Sequence, residues 1–97
     1  MKKITTETKD TILNNTAKVV VKFGATWCGP CRSYDQAIAS LDADNIEFYS
    51  CDVDSNADWV GSLGIRGIPA TILFENGVET KRLTGVQSPA TIMSLLN

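Results

Sequence analysis

The sequence predicts an α/β domain built on a central mixed sheet of four to five strands with helices on both faces. Three observations carry that class. An apolar, β-branched run leads into "TWCGPC" and is followed by a helical repeat and a second apolar run, the order of a βαβ unit. An Asn-Gly pair then separates two strand-like segments. A Ser-Pro start opens a last amphipathic helix. With 97 residues, 43% of them hydrophobic, the chain can bury one core, so residues 1–97 are expected to form a single domain.

The elements follow in order. Thr5 to Asn15 has only Ile12 and Leu13 as apolar anchors and Asn14-Asn15 as a stop, which predicts a short, loosely held helix. "VVVKF", Val19 to Phe23, ends at Gly24 and reads as a buried strand. Cys31, Tyr34, Ile38 and Leu41 recur at helical spacing and define one face of the helix that follows the motif. "IEFYSCDV", Ile46 to Val53, reads as a second strand returning parallel to the first. "NADWVGSLG" predicts a short helix with Asn56 as its cap, Gly64 as a left-handed terminator, and Trp59, Val60 and Leu63 facing the core. "ATILF" and "VETKRLTG" flank Asn76-Gly77 and form an antiparallel hairpin. Ser88 caps a closing helix that has Pro89 in its first turn and Ile92, Leu95 and Leu96 as its apolar stripe.

Charge excludes several function classes. Nine Lys and Arg against eleven Asp and Glu give a net charge of −2, and no basic run suggests a nucleic-acid groove or an anionic membrane. No apolar run reaches the roughly 18 residues of a membrane span. The opening "MKKITTETKD" turns polar where an export signal needs an apolar stretch, so a cytoplasmic location is expected.

Cys28 and Cys31 are the candidate chemistry. A disulfide-exchange catalyst needs one exposed thiol that ionises near neutral pH. Cys28 sits where a strand ends and a helix begins, so unpaired N–H groups and the helix dipole favour its thiolate. Gly29 lets a partner chain approach closely, and Pro30 has no N–H to leave unpaired in a first helical turn. Cys31, one turn further in, can attack a mixed disulfide formed on Cys28. Zinc would want about four ligands, whereas three cysteines and no histidine leave only carboxylates as a fourth. A structural disulfide across so short a loop would constrain little. A redox pair is therefore the favoured reading, with no metal.

With "WCGPC" after a strand, "GIRGIPATILFENG" later and "TG" before the last helix, the sequence resembles the thioredoxin family over residues 17–97. The resemblance implies the thioredoxin fold and a protein-disulfide reductase in which Cys28 attacks and Cys31 resolves. It implies no bound cofactor beyond the Cys28–Cys31 disulfide, NADPH acting indirectly through thioredoxin reductase, protein disulfides as substrates, and a monomer. It further implies a cis Ile68-Pro69 bond facing the cysteines, and a groove of Trp27, Gly29, Pro30, Ile68, Pro69, Thr84 and Gly85 that reads a substrate's main chain. The Gly-Pro between the cysteines fits this family better than glutaredoxins or disulfide isomerases.

The sequence departs from the family at five places. Lys22 stands where a buried aspartate is usual, and Ser50 where its lysine partner falls. Lys22 either reaches solvent, or places an ammonium by the dithiol that stabilises a thiolate and weakens the protein as a reductant. Gln36 replaces a helix-kinking proline, Gly24 replaces a tryptophan flanking the site, and the first strand is absent or a stub. Asp52 and Asp54 are candidate proton relays to Cys31; Cys51, Tyr34 and Trp59 read as core. Two alternatives to the reductase stay open: a glutathione-coupled exchanger or oxidant, and a non-catalytic partner that clamps another enzyme with the same groove. The short chain and altered charges suit a phage-encoded or otherwise divergent member, which would then work in the host cytoplasm.

Overall fold

The computed structural model describes residues 2–14 and 18–96. In chain order the elements are β1 (Lys2–Lys3), α1 (Thr6–Leu13), β2 (Lys18–Gly24), α2 (Gly29–Ile38), β3 (Ile46–Asp52), α3 (Ala57–Ser62), β4 (Ala70–Glu75), β5 (Val78–Thr84) and α4 (Pro89–Leu95). They form one mixed sheet in the order β1-β3-β2-β4-β5. β2 is central: it pairs parallel with β3 across the α2 crossover and antiparallel with β4. Its run of buried residues from Val19 to Gly24 is what a strand covered on both faces requires.

Alternation along the strands divides the core in two. Val19, Val21 and Phe23 of β2 face one layer with Ile12 of α1 and Trp59 of α3, and Trp59 packs its ring against Phe23 and Phe74 at centroid distances of 5.4 and 5.9 Å. Val20 faces the opposite side, toward Leu73, Leu96 and Met93. There Tyr34 and Ile38 of α2 meet Ile92 of α4. Helices therefore cover both faces, as the sequence predicts.

Local chemistry sets the ends of the elements. Asn76 and Gly77 have φ of 54° and 78°, the two left-handed positions of a tight hairpin turn between β4 and β5. A side chain at Gly77 would overlap the Leu13 carbonyl, so the turn tip seats against the end of α1. The Ser88 side chain accepts the Thr91 N–H, and Gly64, at φ 67°, follows α3.

Some expectations are corrected. Asn56 precedes α3, but its side chain makes no cap; it is buried and donates to the carbonyls of Ile4 and Asp52, joining β1 to the end of β3. Thr5 caps α1 by accepting the Thr8 N–H, and the helix ends at Asn14, while Asn15 lies outside the described residues. Leu41 falls beyond the end of α2 yet still packs on its cluster. The first strand is a two-residue stub, paired parallel with Tyr49 and Ser50 and prolonged by the Ile4 N–H to the Ser50 carbonyl.

Candidate active site

Cys28 is the N-cap residue of α2, and its Sγ accepts the Cys31 N–H at 3.2 Å. The sequence dictates that position: β2 ends at Gly24, Pro30 enters the first turn, and the chain reverses between them. Cys28 and Cys31 form a disulfide with Cα atoms 5.3 Å apart. Cys28 is 7% exposed and Cys31 1%, so both residues are buried and Cys28 is the less enclosed of the two. Both pack with Ala25, Val53 and Ile68.

Of the groove residues singled out above, Ile68 packs against the dithiol cluster. Trp27 is 69% exposed, and its indole N–H donates to Asp54 Oδ2 at 2.8 Å, which fixes the ring at the rim. Gly29 and Pro30 are exposed. The Ile68-Pro69 bond is cis, and Ile68 contacts the dithiol cluster. The Pro69 carbonyl accepts the Gly85 N–H at 2.8 Å, linking that turn to the segment after β5. Among the described residues, the N–H and C=O of Ile68 have no backbone hydrogen-bond partner. Thr84 is exposed and Gly85 partly so, and Val86, which the sequence reading missed, is 56% exposed beside them. The available signal was an apolar residue directly after the Thr-Gly pair.

Lys22 does not reach solvent. It is 3% exposed and its Nζ is ion-paired with Asp35 Oδ1, a buried atom with no other partner among the described residues. Gly24 allows that arrangement, since a side-chain carbon there would stand 2.8 Å from Lys22 Nζ and 3.3 Å from Cys31 Sγ. The space that a side chain at Gly24 would take is thus partly filled by an ammonium. Beside it a cleft of about 620 Å³ extends past Ser50, Asp52 and the start of α1. Asp35 is the second residue missed by sequence reading; its signal was a carboxylate one helical turn after Cys31.

Of the carboxylates named as candidate relays, Asp52 lines the cleft beside Lys22 and Asp54 lies with Trp27. Asp54 holds Trp27, and Asp52 Oδ1 accepts the Asp54 N–H at 2.9 Å. Cys51 is a free, buried thiol on the Trp59 face of the sheet, opposite the dithiol; burial first, and then the charge of Asp52, push its thiol up to about 12. Tyr34 is fully buried with its hydroxyl 2.6 Å from Thr71 Oγ1, and burial raises its phenol above the ordinary value. Trp59 is core. Among the described residues, no group of three or more His, Cys, Asp or Glu could hold a metal, and no helix is long and apolar enough to cross a membrane.

Comparison with known proteins agrees with this geometry. The family model for thioredoxin matches residues 1–97. A thioredoxin of Mycoplasma genitalium is 36% identical over 81 residues, covering 81% of this chain and 79% of that protein. A bifunctional thioredoxin reductase/thioredoxin of Mycobacterium leprae is 33% identical over 85 residues, which are 84% of this chain and 19% of that protein. Among solved structures, the thioredoxin of Malassezia sympodialis superimposes with a TM-score of 0.86 at 28% identity, over 99% of this chain and 87% of that one.

Proposed function

The chain belongs to the thioredoxin family and is a thiol-disulfide oxidoreductase; from that premise we propose that it reduces protein disulfides, with Cys28 as the attacking and Cys31 as the resolving cysteine. In the reduced protein the Cys28 thiolate attacks one sulfur of a substrate disulfide. A Cys28–substrate bond forms, the substrate bond breaks, and one substrate sulfur leaves as a thiolate. Cys31 loses its proton and attacks Cys28 Sγ, forming the Cys28–Cys31 disulfide and expelling the second substrate thiolate. The protein gives up two electrons and two protons, and the substrate becomes a dithiol.

The single observation that carries this assignment is the capping geometry of Cys28. Its Sγ already accepts an N–H of the first turn of α2, and Cys28 is the less buried residue of the pair. A thiolate there gains a charge-assisted hydrogen bond and the helix dipole, whereas the sulfur of Cys31 is enclosed.

Substrate selection follows from the groove. The unpaired backbone of Ile68 supports recognition of an extended substrate segment by main-chain hydrogen bonds. Exposed Trp27 and Val86, with Thr84, Gly85, Pro30 and Gly29, offer a shallow apolar surround that suits many sequences. Regeneration by a thioredoxin reductase, with NADPH as the electron source in this proposal, takes its support for the reductase from the Mycobacterium leprae protein, whose name joins the two activities in one chain. A monomer working in a cytoplasm, with no bound cofactor, completes the reading.

The test is NADPH-driven reduction of insulin disulfides with a bacterial thioredoxin reductase. The wild type should turn over, and Cys28→Ser should fall to the uncatalysed rate. Cys31→Ser should instead accumulate a covalent, dithiothreitol-sensitive adduct with substrate. Absence of wild-type turnover, or turnover that persists in Cys28→Ser, overturns the proposal.

A further inference from the structure

Resting on that reading of the dithiol, we propose that Lys22 and Asp35 form a charge clamp on Cys31, with the ammonium buried and the carboxylate, 41% exposed, holding it from the rim: the ammonium stabilises the Cys31 thiolate, and Asp35 is the positioning residue that holds the ammonium in place and limits its effect. Three facts of geometry meet here. Lys22 lies on the face of β2 that α2 covers, two residues before Gly24 on the same side. Asp35 lies four residues after Cys31, one turn along the same helix. Gly24 contributes no side chain, so Lys22 Nζ and Cys31 Sγ both crowd the point where one would begin. The ammonium and the sulfur are therefore within about 6 Å of each other, a range in which an opposite charge favours a thiolate.

Magnitude makes the counter-charge matter. At an effective dielectric of about 20, a lone cation at that distance raises a thiol's ionisation constant on the order of a hundredfold. Asp35, in contact with the same ammonium, cancels part of that field. The other charged groups lining the cleft are Lys3 of β1, Arg32 of α2 and Asp52 of β3. Lys3 and Arg32 are exposed, and Asp52 already accepts the Asp54 N–H. Among the described residues, only Lys22 is both charged and enclosed beside Cys31.

The clamp acts on the resolving half of the exchange. When the mixed disulfide is on Cys28, Cys31 gives up a proton to solvent and supplies the electron pair for the new sulfur–sulfur bond, while the departing substrate thiolate takes up a proton. A cation beneath Cys31 raises the share of thiolate ready for that attack and also favours the reduced protein wherever that thiolate is populated. Asp35 fixes the balance.

Two readouts test the clamp. In the full chain carrying Cys28→Ser, which keeps an oxygen cap at the start of α2, ultraviolet thiolate absorbance against pH follows Cys31, because the Cys51 thiol is pushed up to about 12. Adding Asp35→Asn should raise the Cys31 ionisation constant about tenfold, and Lys22→Met should lower it by a similar factor. Asp35→Glu should restore the starting value. In the Lys22→Met background the effect of Asp35→Asn should shrink to threefold or less. With both cysteines present, the glutathione equilibrium above the Cys31 midpoint should move toward the dithiol by the same tenfold in Asp35→Asn, about 30 mV for two electrons. An unchanged titration in both single variants, or an Asp35→Asn effect of equal size with and without Lys22, overturns the clamp. Neither readout uses insulin or reductase, so a failed clamp and a failed reductase reading remain distinguishable.

Discussion

Cys51 is the thiol that the exchange does not use, and its behaviour is set by burial. It is 1% exposed among apolar neighbours, and its thiol is pushed from 9.0 to about 12. The folded state therefore holds this proton more tightly than the unfolded chain does. Its contribution is fully present below about pH 9 and is lost as pH rises toward 12, at no more than about 1.4 kcal/mol per pH unit. Urea unfolding between pH 8 and 11 should show an alkaline loss of stability for the wild type, in about that pH window, that is reduced in Cys51→Val. Alkylation of the native protein should likewise spare Cys51 while the reduced dithiol reacts. The same scale explains Gly24: the residue is small because the end of Lys22 occupies the space a side chain would need.

Two elements carry local decisions with long consequences. α2 runs without a break from Gly29 to Ile38, with Pro30 at its start and Gln36 inside it, where its backbone N–H can continue the helical ladder. That uninterrupted turn places Cys31 and Asp35 one above the other. The β4–β5 hairpin depends on Gly77 for two reasons at once, its left-handed φ and its closeness to the Leu13 carbonyl. Gly77→Ala should cost at least about 2 kcal/mol, from the left-handed penalty plus the overlap, read as a lower urea midpoint. Because the turn lies at the far end of β4 from Pro69, the glutathione equilibrium of the folded protein should not change.

The whole molecule separates stability from chemistry across its sheet. One face stacks Phe23, Trp59 and Phe74 with Ile12 and Ile72 in an apolar layer. The other carries Lys22, Thr71 and the dithiol under α2, with polar groups paired as Lys22–Asp35 and Tyr34–Thr71. Trp59→Ala should therefore destabilise by about 3–5 kcal/mol, the usual cost of emptying a large aromatic site. Insulin turnover per folded molecule should stay within about twofold at temperatures below the lowered midpoint, since Trp59 packs in the apolar layer and not in the cluster that holds Cys28 and Cys31. A comparable fall in turnover would mean that the two faces are coupled through β2.

What the sequence by itself determined is the set of features that depend on neighbours in the chain. The strand before the motif, the helix that starts on Cys28, the Asn76-Gly77 turn and the Ser88-Pro89 start all follow from periodicity, caps and turn residues within a few positions. The Cys28–Cys31 pair was legible for the same reason. The tertiary structure alone decided which distant groups meet. Asn56 was expected to cap a helix and instead joins β1 to β3; Asp54 holds Trp27; Lys22 had two readings open and meets Asp35. Ion pairs and side-chain hydrogen bonds form over distances of a few ångströms, and the packing of α2 on β2 sets those distances across elements that no local pattern relates.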